Sequence, residues 1–355
     1  MTKKKAAILG SSGMIGQRFA QMLYDHPYFD VVALCASDRS NGRTLADVWK
    51  LSDVELCDEL AGRRIQGTAV GDLAREGVEV VFSGLPSDVA GEVEDGCAEE
   101  GMAVFSNASS HRMDPDTPIL VPEINHQHME AIGIQRERRR KGGFVVNNAN
   151  CSVTGLAVGL KPLVDAFGIL DFNVATYQAL SGAGYPGVPS VDIQGNILPY
   201  ISKEEEKMNA EGRKILGSFG EGRFSNSPVS ILASCTRVNV RDGHLEAVFA
   251  KGSDMPDESA VASAFEGFSS RPQELALPTA PEKPIIVRPE PDRPQPLLDS
   301  LAGSPDRARG MAVTVGRIRT SSDSLRFFLL VHNTIRGGAG GSVLNAELAH
   351  REGIL

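Results

Sequence analysis

KAAILGSSGMIGQRFAQMLY, residues 5 to 24, contains three kinds of local order in succession. Lys5 to Leu9 is a short apolar run that reads as a strand. Gly10-Ser-Ser-Gly13-Met-Ile-Gly16 interrupts it, and Phe19, Met22 and Leu23 then recur at helical spacing between Gln17 and Tyr24. Glycines between a strand and a helix let the backbone turn tightly and approach a pyrophosphate at the helix N-terminus. The spacing G-x-x-G-x-x-G departs from the usual G-x-G-x-x-G, so the strand before it and the helix after it carry the reading.

Working outward, Val31 to Leu34, Val78 to Phe82 and Val104-Phe105 are further short strand candidates, with helix-like segments between them. Strands alternating with helices predict a parallel sheet covered on both faces. At the end of the second strand stands Cys35-Ala-Ser-Asp-Arg-Ser-Asn-Gly-Arg43. An acidic residue there favours a free ribose 2′-hydroxyl, whereas arginine with hydroxyl donors accommodates a 2′-phosphate. Ser37, Arg39 and Ser40 outweigh Asp38 and point to NADP.

After residue 171 the character changes. Phe172 to Tyr177, Val229 to Asn239 and Glu246 to Ala250 alternate and are separated by longer loops, which predicts a second domain on a mixed or antiparallel sheet. Residues 271 to 309, rich in proline and charge, read as an ordered excursion over the surface. The tail from Ala339 to Glu352 carries Val343, Leu344 and Leu348 on one face and predicts a closing helix. The basic run Arg136 to Lys141 reads as a solvated helix end, its cations favourable against the dipole.

Composition sets outer limits. The 355 residues suffice for two domains of ordinary size. A net charge of −9 argues against nucleic acid as a partner. The five cysteines show no C-x-x-C and no metal-binding pattern, which fits a reducing, cytoplasmic setting. No apolar run is long enough to span a bilayer.

The chemistry is concentrated in FVVNNANCSVTGLAVGLKPL, residues 144 to 163. Cys151 precedes an amphipathic run of Val153, Leu156, Leu160 and Leu163, so its thiol is expected at a helix N-terminus, where the dipole favours thiolate. Pro162 is expected to kink or break that helix. Cys35, Cys57 and Cys97 lie in or beside apolar segments and read as structural, and Cys235 as packed within a strand. A nucleophilic thiol beside a nicotinamide suggests attack on a carbonyl carbon with hydride transfer to or from the resulting adduct. Arg237 and His244, seven residues apart around an Asp-Gly turn, are candidates for a carboxylate grip and a general acid/base.

With these motifs in place, the chain resembles the aspartate-β-semialdehyde dehydrogenases of archaea, fungi and some bacteria. The resemblance runs through GSSGMIGQRF, SGLPSDVAG, SNASSHRMDPDTPILVPEIN, NNANCS, QALSGAGYPGVPS, SCTRVNVRDGHLE and HNTIRGGAGGSVLNAEL. It implies a Rossmann-type NADP-binding domain at 1–150, completed by a helix at 334–355. A catalytic and dimerisation domain of the glyceraldehyde-3-phosphate dehydrogenase-like type would fill 151–333. It further implies Cys151 as nucleophile, Asn150 as its partner in the Asn-Cys pair, Gln178 orienting the substrate and His244 as acid/base. Arg237 would hold the substrate α-carboxylate, Glu204 its amine, and Arg112 and Lys207 its phosphate, with Glu205 and Glu206 competing for the place of Glu204. The cofactor segments correspond to Gly10, Ser11, Ser12, Gly13, Met14, Ile15, Ser37, Arg39, Ser40, Ser83, Leu85, Ser181, Gly182 and Asn333.

The implied reaction is NADPH-dependent reductive dephosphorylation of 4-phospho-L-aspartate to L-aspartate 4-semialdehyde, in the route to lysine, threonine and methionine, by a homodimer or homotetramer. Archaeal malonyl-CoA reductase is similar too, through Gly182 to Ser190 and the Arg/His pair, but the Asn-Cys-Ser form favours the semialdehyde enzymes. A catalytically silent NADP-binding protein is the other alternative, opposed by the intact Cys151, Gln178, Arg237 and His244 set.

Overall fold

The computed structural model describes residues 2–355. Two six-stranded sheets organise the chain. The first contains β1 (Lys4–Leu9), β2 (Phe29–Cys35), β3 (Val80–Ser83), β4 (Ala103–Ser106), β5 (Ile119–Leu120) and β6 (Phe144–Asn148). Its order is β2-β1-β3-β4-β6-β5 and every pairing is parallel. In β1 the alternation is visible residue by residue. Ala6 and Ile8 join Phe19, Phe82, Phe105 and Phe144 on one face, while Ala7 and Leu9 join Val81, Cys97 and Val104 on the other. Helix α1 (Met14–Leu23) covers the first face and α2 (Ser87–Glu99) the second. The strand order reverses between β1 and β3, so a crevice opens at their C-terminal ends.

Helix α3 (Ala131–Arg138) leads into β6, and its basic end is as expected except for Arg139. That side chain is buried and bonds Gln135 and Asp95. From β6 the chain enters α4 (Cys151–Phe167), which runs through Pro162 without a break. One proline removes a single intrahelical bond, and this helix is buried along most of its length against the second sheet. It ends at Gly168 in the left-handed region.

The second sheet is mixed. It contains β7 (Asp171–Gln178), then, beyond a small hairpin of β8 (Ser218–Gly220) and β9 (Arg223–Ser225), β10 (Ser230–Arg237), β11 (His244–Lys251), β12 (Ile285–Arg288), β13 (Val313–Thr320) and β14 (Ser324–Val331). The order is β10-β7-β11-β14-β13-β12, with β10/β7 and β13/β12 parallel and the rest antiparallel. The inner face packs α4 together with α5 (Glu204–Ile215) and α6 (Glu258–Glu266). On the outer face, Leu232, Tyr177 and Phe249 remain exposed.

Two tail expectations change. Residues 285–288 are an edge strand of the second sheet, while Leu277, Ala280, Ala308 and Met311 pack against the first-sheet core. The segment from 271 to 309 thus spans both halves instead of lying over the surface. The closing helix α7 (Gly340–Arg351) is buried all round from Gly340 to Ala349, not on one face. It sits among the first sheet, α1 and the residues of that spanning segment. Ahead of it, Arg336 meets Glu123 through two buried bonds of 2.8 and 2.6 Å. No helix among the described residues is long and apolar enough to cross a membrane.

Candidate active site

The two sheets meet where β6 becomes α4. Asn150 is the N-cap of that helix, its Oδ1 accepting from the backbone N–H groups of Ser152 (2.9 Å) and Val153 (3.2 Å). Its side-chain and backbone nitrogens donate as well. Nδ2 donates to Glu204 Oε1 (2.9 Å) and the backbone N–H to Glu211 Oε2 (2.8 Å). The residue after it is therefore fixed in direction, and that residue is Cys151.

Cys151 Sγ lies 3.3 Å from His244 Nε2. His244 begins β11, and its Nδ1 accepts the backbone N–H of Ala179 at 3.0 Å. An acceptor at Nδ1 assigns the neutral imidazole proton to Nε2, where it faces the sulfur. Burial, then Arg237 and His332, hold the imidazole well below its ordinary range, so it is neutral near pH 7. Gln178 and Arg237 end the parallel neighbours β7 and β10 and lie opposite each other in register. Gln178 Nε2 donates to Glu204 Oε1 (3.1 Å), and Arg237 Nη1 to the Ala179 carbonyl (2.8 Å). Six residues from five segments thus converge: Asn150, Cys151, Gln178, Glu204, Arg237 and His244.

The thiol itself departs from expectation. Its surroundings push it up to about 12, burial first and the Glu204 carboxylate next, against the lowering influence of Arg237, Arg112 and the Ser152 N–H. The Ser152 N–H does not outweigh desolvation, and the Asn150 cap already takes the first free N–H groups of the helix.

Of the competing acids, Glu204 is the buried one facing Asn150 and Gln178. Glu205 accepts the Cys235 backbone N–H and Glu206 is exposed. Lys207 Nζ stands 3.9 Å from Glu204 Oε2. Arg112 is buried and anchored by Asn148 O (3.1 Å), Asn107 O (2.9 Å) and Glu211 Oε1 (2.9 Å).

The sequence matches two family models in succession: "semialdehyde dehydrogenase, NAD binding domain" over residues 5–132 and "semialdehyde dehydrogenase, dimerisation domain" over 160–336. An aspartate-semialdehyde dehydrogenase of Methanothermobacter thermautotrophicus is 46% identical over 96% of this chain and 97% of its own length. That of Aspergillus fumigatus is 42% identical over 99% of each. The crystal structure of aspartate semialdehyde dehydrogenase with NADP from Candida albicans superposes with a TM-score of 0.88, at 38% identity over 100% of both chains. The chain belongs to the aspartate-semialdehyde dehydrogenase family.

In this member of the family the crevice at the ends of β1 and β3 sits beside the thiol. Gly10 has φ +74°, and a Cβ there would stand 2.7 Å from the Gly84 carbonyl oxygen, so only glycine keeps β1 and β3 this close. Gly13 is the N-cap of α1 with no side-chain cap, which leaves the helix end open beside Ser12, Met14 and Ile15. The step Gly337-Gly338 links crevice and thiol. A Cβ on Gly338 would lie 2.9 Å from Ile15 Cδ1, and one on Gly337 2.8 Å from Cys151 Cα.

Ser37 and Arg39 are exposed at the end of β2 with Ser40 tucked beneath, its N–H bonded to Ser37 O (2.8 Å). Leu85 is half-buried next to Gly10. Asn333 Nδ2 donates to Ser181 Oγ (2.8 Å), and Gly182 abuts Arg237 and His244. Two candidates turn away. Ser11 is fully buried with its hydroxyl on Cys35 O (3.1 Å), and Ser83 is fully buried with its hydroxyl on Glu94 (2.5 Å). The first hydroxyl ties the turn after β1 to the end of β2, the second ties β3 to α2, and neither has surface to offer a ligand.

Sequence reasoning missed Glu211 and Glu246. Glu246 follows His244 by two residues on the inner face of β11, and neither carboxyl oxygen has a hydrogen-bond partner. Burial and the neighbouring Glu204 raise it well above the carboxylate range, so it is a neutral acid beneath the site.

Proposed function

We propose that this protein converts 4-phospho-L-aspartate to L-aspartate 4-semialdehyde with NADPH through a thioester on Cys151. The observation that carries the reading is the sulfur 3.3 Å from His244 Nε2, beside a glycine-built dinucleotide crevice.

The open N-terminus of α1 and the Gly10–Gly84 approach fit a pyrophosphate, and Ser37, Arg39 and Ser40 fit a 2′-phosphate. NADPH, when bound there, supplies the hydride. The chain's own residues do the rest. Arg237 holds the α-carboxylate and Glu204 the amine, which turns the β-carbonyl toward Cys151. The thiol must lose its proton first, to a phosphate oxygen of the substrate that leaves with it, and Arg237 and Arg112 lower that cost. Sulfur then bonds the carbonyl carbon, the carbon–oxygen bond to phosphate breaks, and Arg112 and Lys207 receive the departing anion. His244 donates its Nε2 proton as a hydrogen bond to the oxyanion of each tetrahedral stage, and to the sulfur as the thiohemiacetal collapses. Gln178 keeps Glu204 in place.

The domains we assign are 1–150 with 334–355 for the cofactor and 151–333 for catalysis and dimerisation, and the setting we infer is cytoplasmic. Leu232, Tyr177 and Phe249 on the open sheet face support a homo-oligomer.

The test is phosphate-dependent oxidation of L-aspartate 4-semialdehyde, followed as cofactor reduction with NADP and with NAD. The expected result is turnover with NADP that vanishes without phosphate. NADPH oxidation with malonyl-CoA, and none with 4-phospho-L-aspartate, would overturn the reading in favour of acyl-thioester reduction.

A further inference from the structure

Glu211 lies seven residues beyond Glu204, two turns along α5 and on the same face. It is buried and its two oxygens have different tasks. Oε1 accepts from Arg112 Nη1 at 2.9 Å, and Oε2 accepts the Asn150 backbone N–H at 2.8 Å. One carboxylate therefore joins the arginine of the phosphate site to the residue that orients the nucleophile. The next turn of α5 adds Lys214, whose Nζ donates to the carbonyls of Arg112 (2.7 Å) and Thr117 (2.8 Å).

The guanidinium of Arg112 has five N–H groups, and three are spent on Asn148 O, Asn107 O and Glu211. The two carbonyl bonds hold one edge of the plane. Glu211 holds the other and leaves the remaining N–H groups for a ligand. Among the described residues, no other carboxylate within bonding distance balances that buried cation.

We propose that Glu211 is a positioning residue for the reaction, setting the separation between the phosphate anchor Arg112 and the Cys151 nucleophile. It acts through Arg112 and through Asn150, and it does not touch the substrate. The inference rests on the phosphate role given above to Arg112. In Glu211→Gln only one face of the side chain still accepts, and an amide –NH₂ is turned against either Arg112 or the Asn150 N–H.

The test compares wild type, Glu211→Gln, Glu211→Asp and Arg112→Lys in the phosphate-dependent assay, with NADP binding measured by fluorescence titration. Glu211→Gln is expected to raise the KM for phosphate about ten- to a hundredfold, the effect of losing a hydrogen bond to a charged group. Its NADP Kd should stay within about twofold of wild type, because the crevice shares none of these bonds. Glu211→Asp should fall between wild type and Glu211→Gln, since it keeps the charge but reaches one partner, and it carries the same prediction if Glu211→Gln does not fold. An unchanged phosphate KM in the Glu211 variants, with a raised one in Arg112→Lys, overturns this inference alone. So does a parallel loss of NADP and phosphate binding, the mark of a purely structural role. A wild type without phosphate-dependent turnover overturns both this inference and the reading on which it rests.

Discussion

Two helices leave the C-terminal ends of strands in the first sheet, and their N-termini are finished in opposite ways. At α1 the N-cap is Gly13, no side chain answers the free N–H groups, and the end stays open. At α4 the N-cap is Asn150, whose Oδ1 takes the N–H groups of Ser152 and Val153, with Cys151 packed in the first turn. Both ends carry the same dipole. The open one offers it to a ligand, while the closed one spends it on orienting a side chain. Proximity to a helix N-terminus is therefore not enough to make a thiolate. Its N–H groups must also be free, and the thiol must not be buried beside a carboxylate.

The largest expected effect separates the two ends by function. Cys151→Ala should lower turnover by at least about a thousandfold, as removal of a covalent nucleophile does, while leaving NADP binding intact. Near-wild-type activity would remove the thiol from the chemistry. Next comes the open end. Gly10→Ala forces a Cβ into the Gly84 carbonyl at a backbone angle suited to glycine, and should weaken NADP about ten- to a hundredfold. If NADP binds the variant as well as wild type, the crevice does not depend on that approach.

The smallest effect probes the closed end. Asn150→Ala removes the cap at a cost of about 1 kcal/mol of stability, read from denaturant unfolding. The same variant reports on the thiol. Alkylation by iodoacetamide follows the thiolate, so with the thiol near 12 the wild-type rate should keep climbing as pH rises above neutrality. Freeing the Ser152 and Val153 N–H groups should move that climb to lower pH. A wild-type profile already flat above pH 7 would mean that the dipole prevails over burial after all.

Much of the fold was legible because its signals are local. The run Lys5 to Leu9, the glycines after it and the spacing of Phe19, Met22 and Leu23 all lie within one unit, and they form β1, its turn and α1. Cys151, Arg237 and His244 could be picked out as candidates because residue type and motif narrow their chemistry. Pro162 misled because helix propensity is a local preference, overridden here by burial of α4 against the second sheet. Ser83 and Ser11 misled because a motif fixes the backbone position of a serine, not the direction of its hydroxyl.

Sequence by itself determined the α/β class, and it singled out the loop after β1, Cys151, Arg237 and His244 as candidates, since each follows from periodicity or from the chemistry of a short motif. Only the tertiary structure decided which glutamate of Glu204-Glu-Glu206 turns inward, where the His244 proton lies, and that the thiol is raised rather than lowered. It alone brought Glu211 to Asn150 and Arg112, 61 and 99 residues away. The physical reason is the same in each case. Burial, hydrogen-bond partnership and the charge of neighbours are set by residues far apart in the chain, and no local pattern encodes that distance.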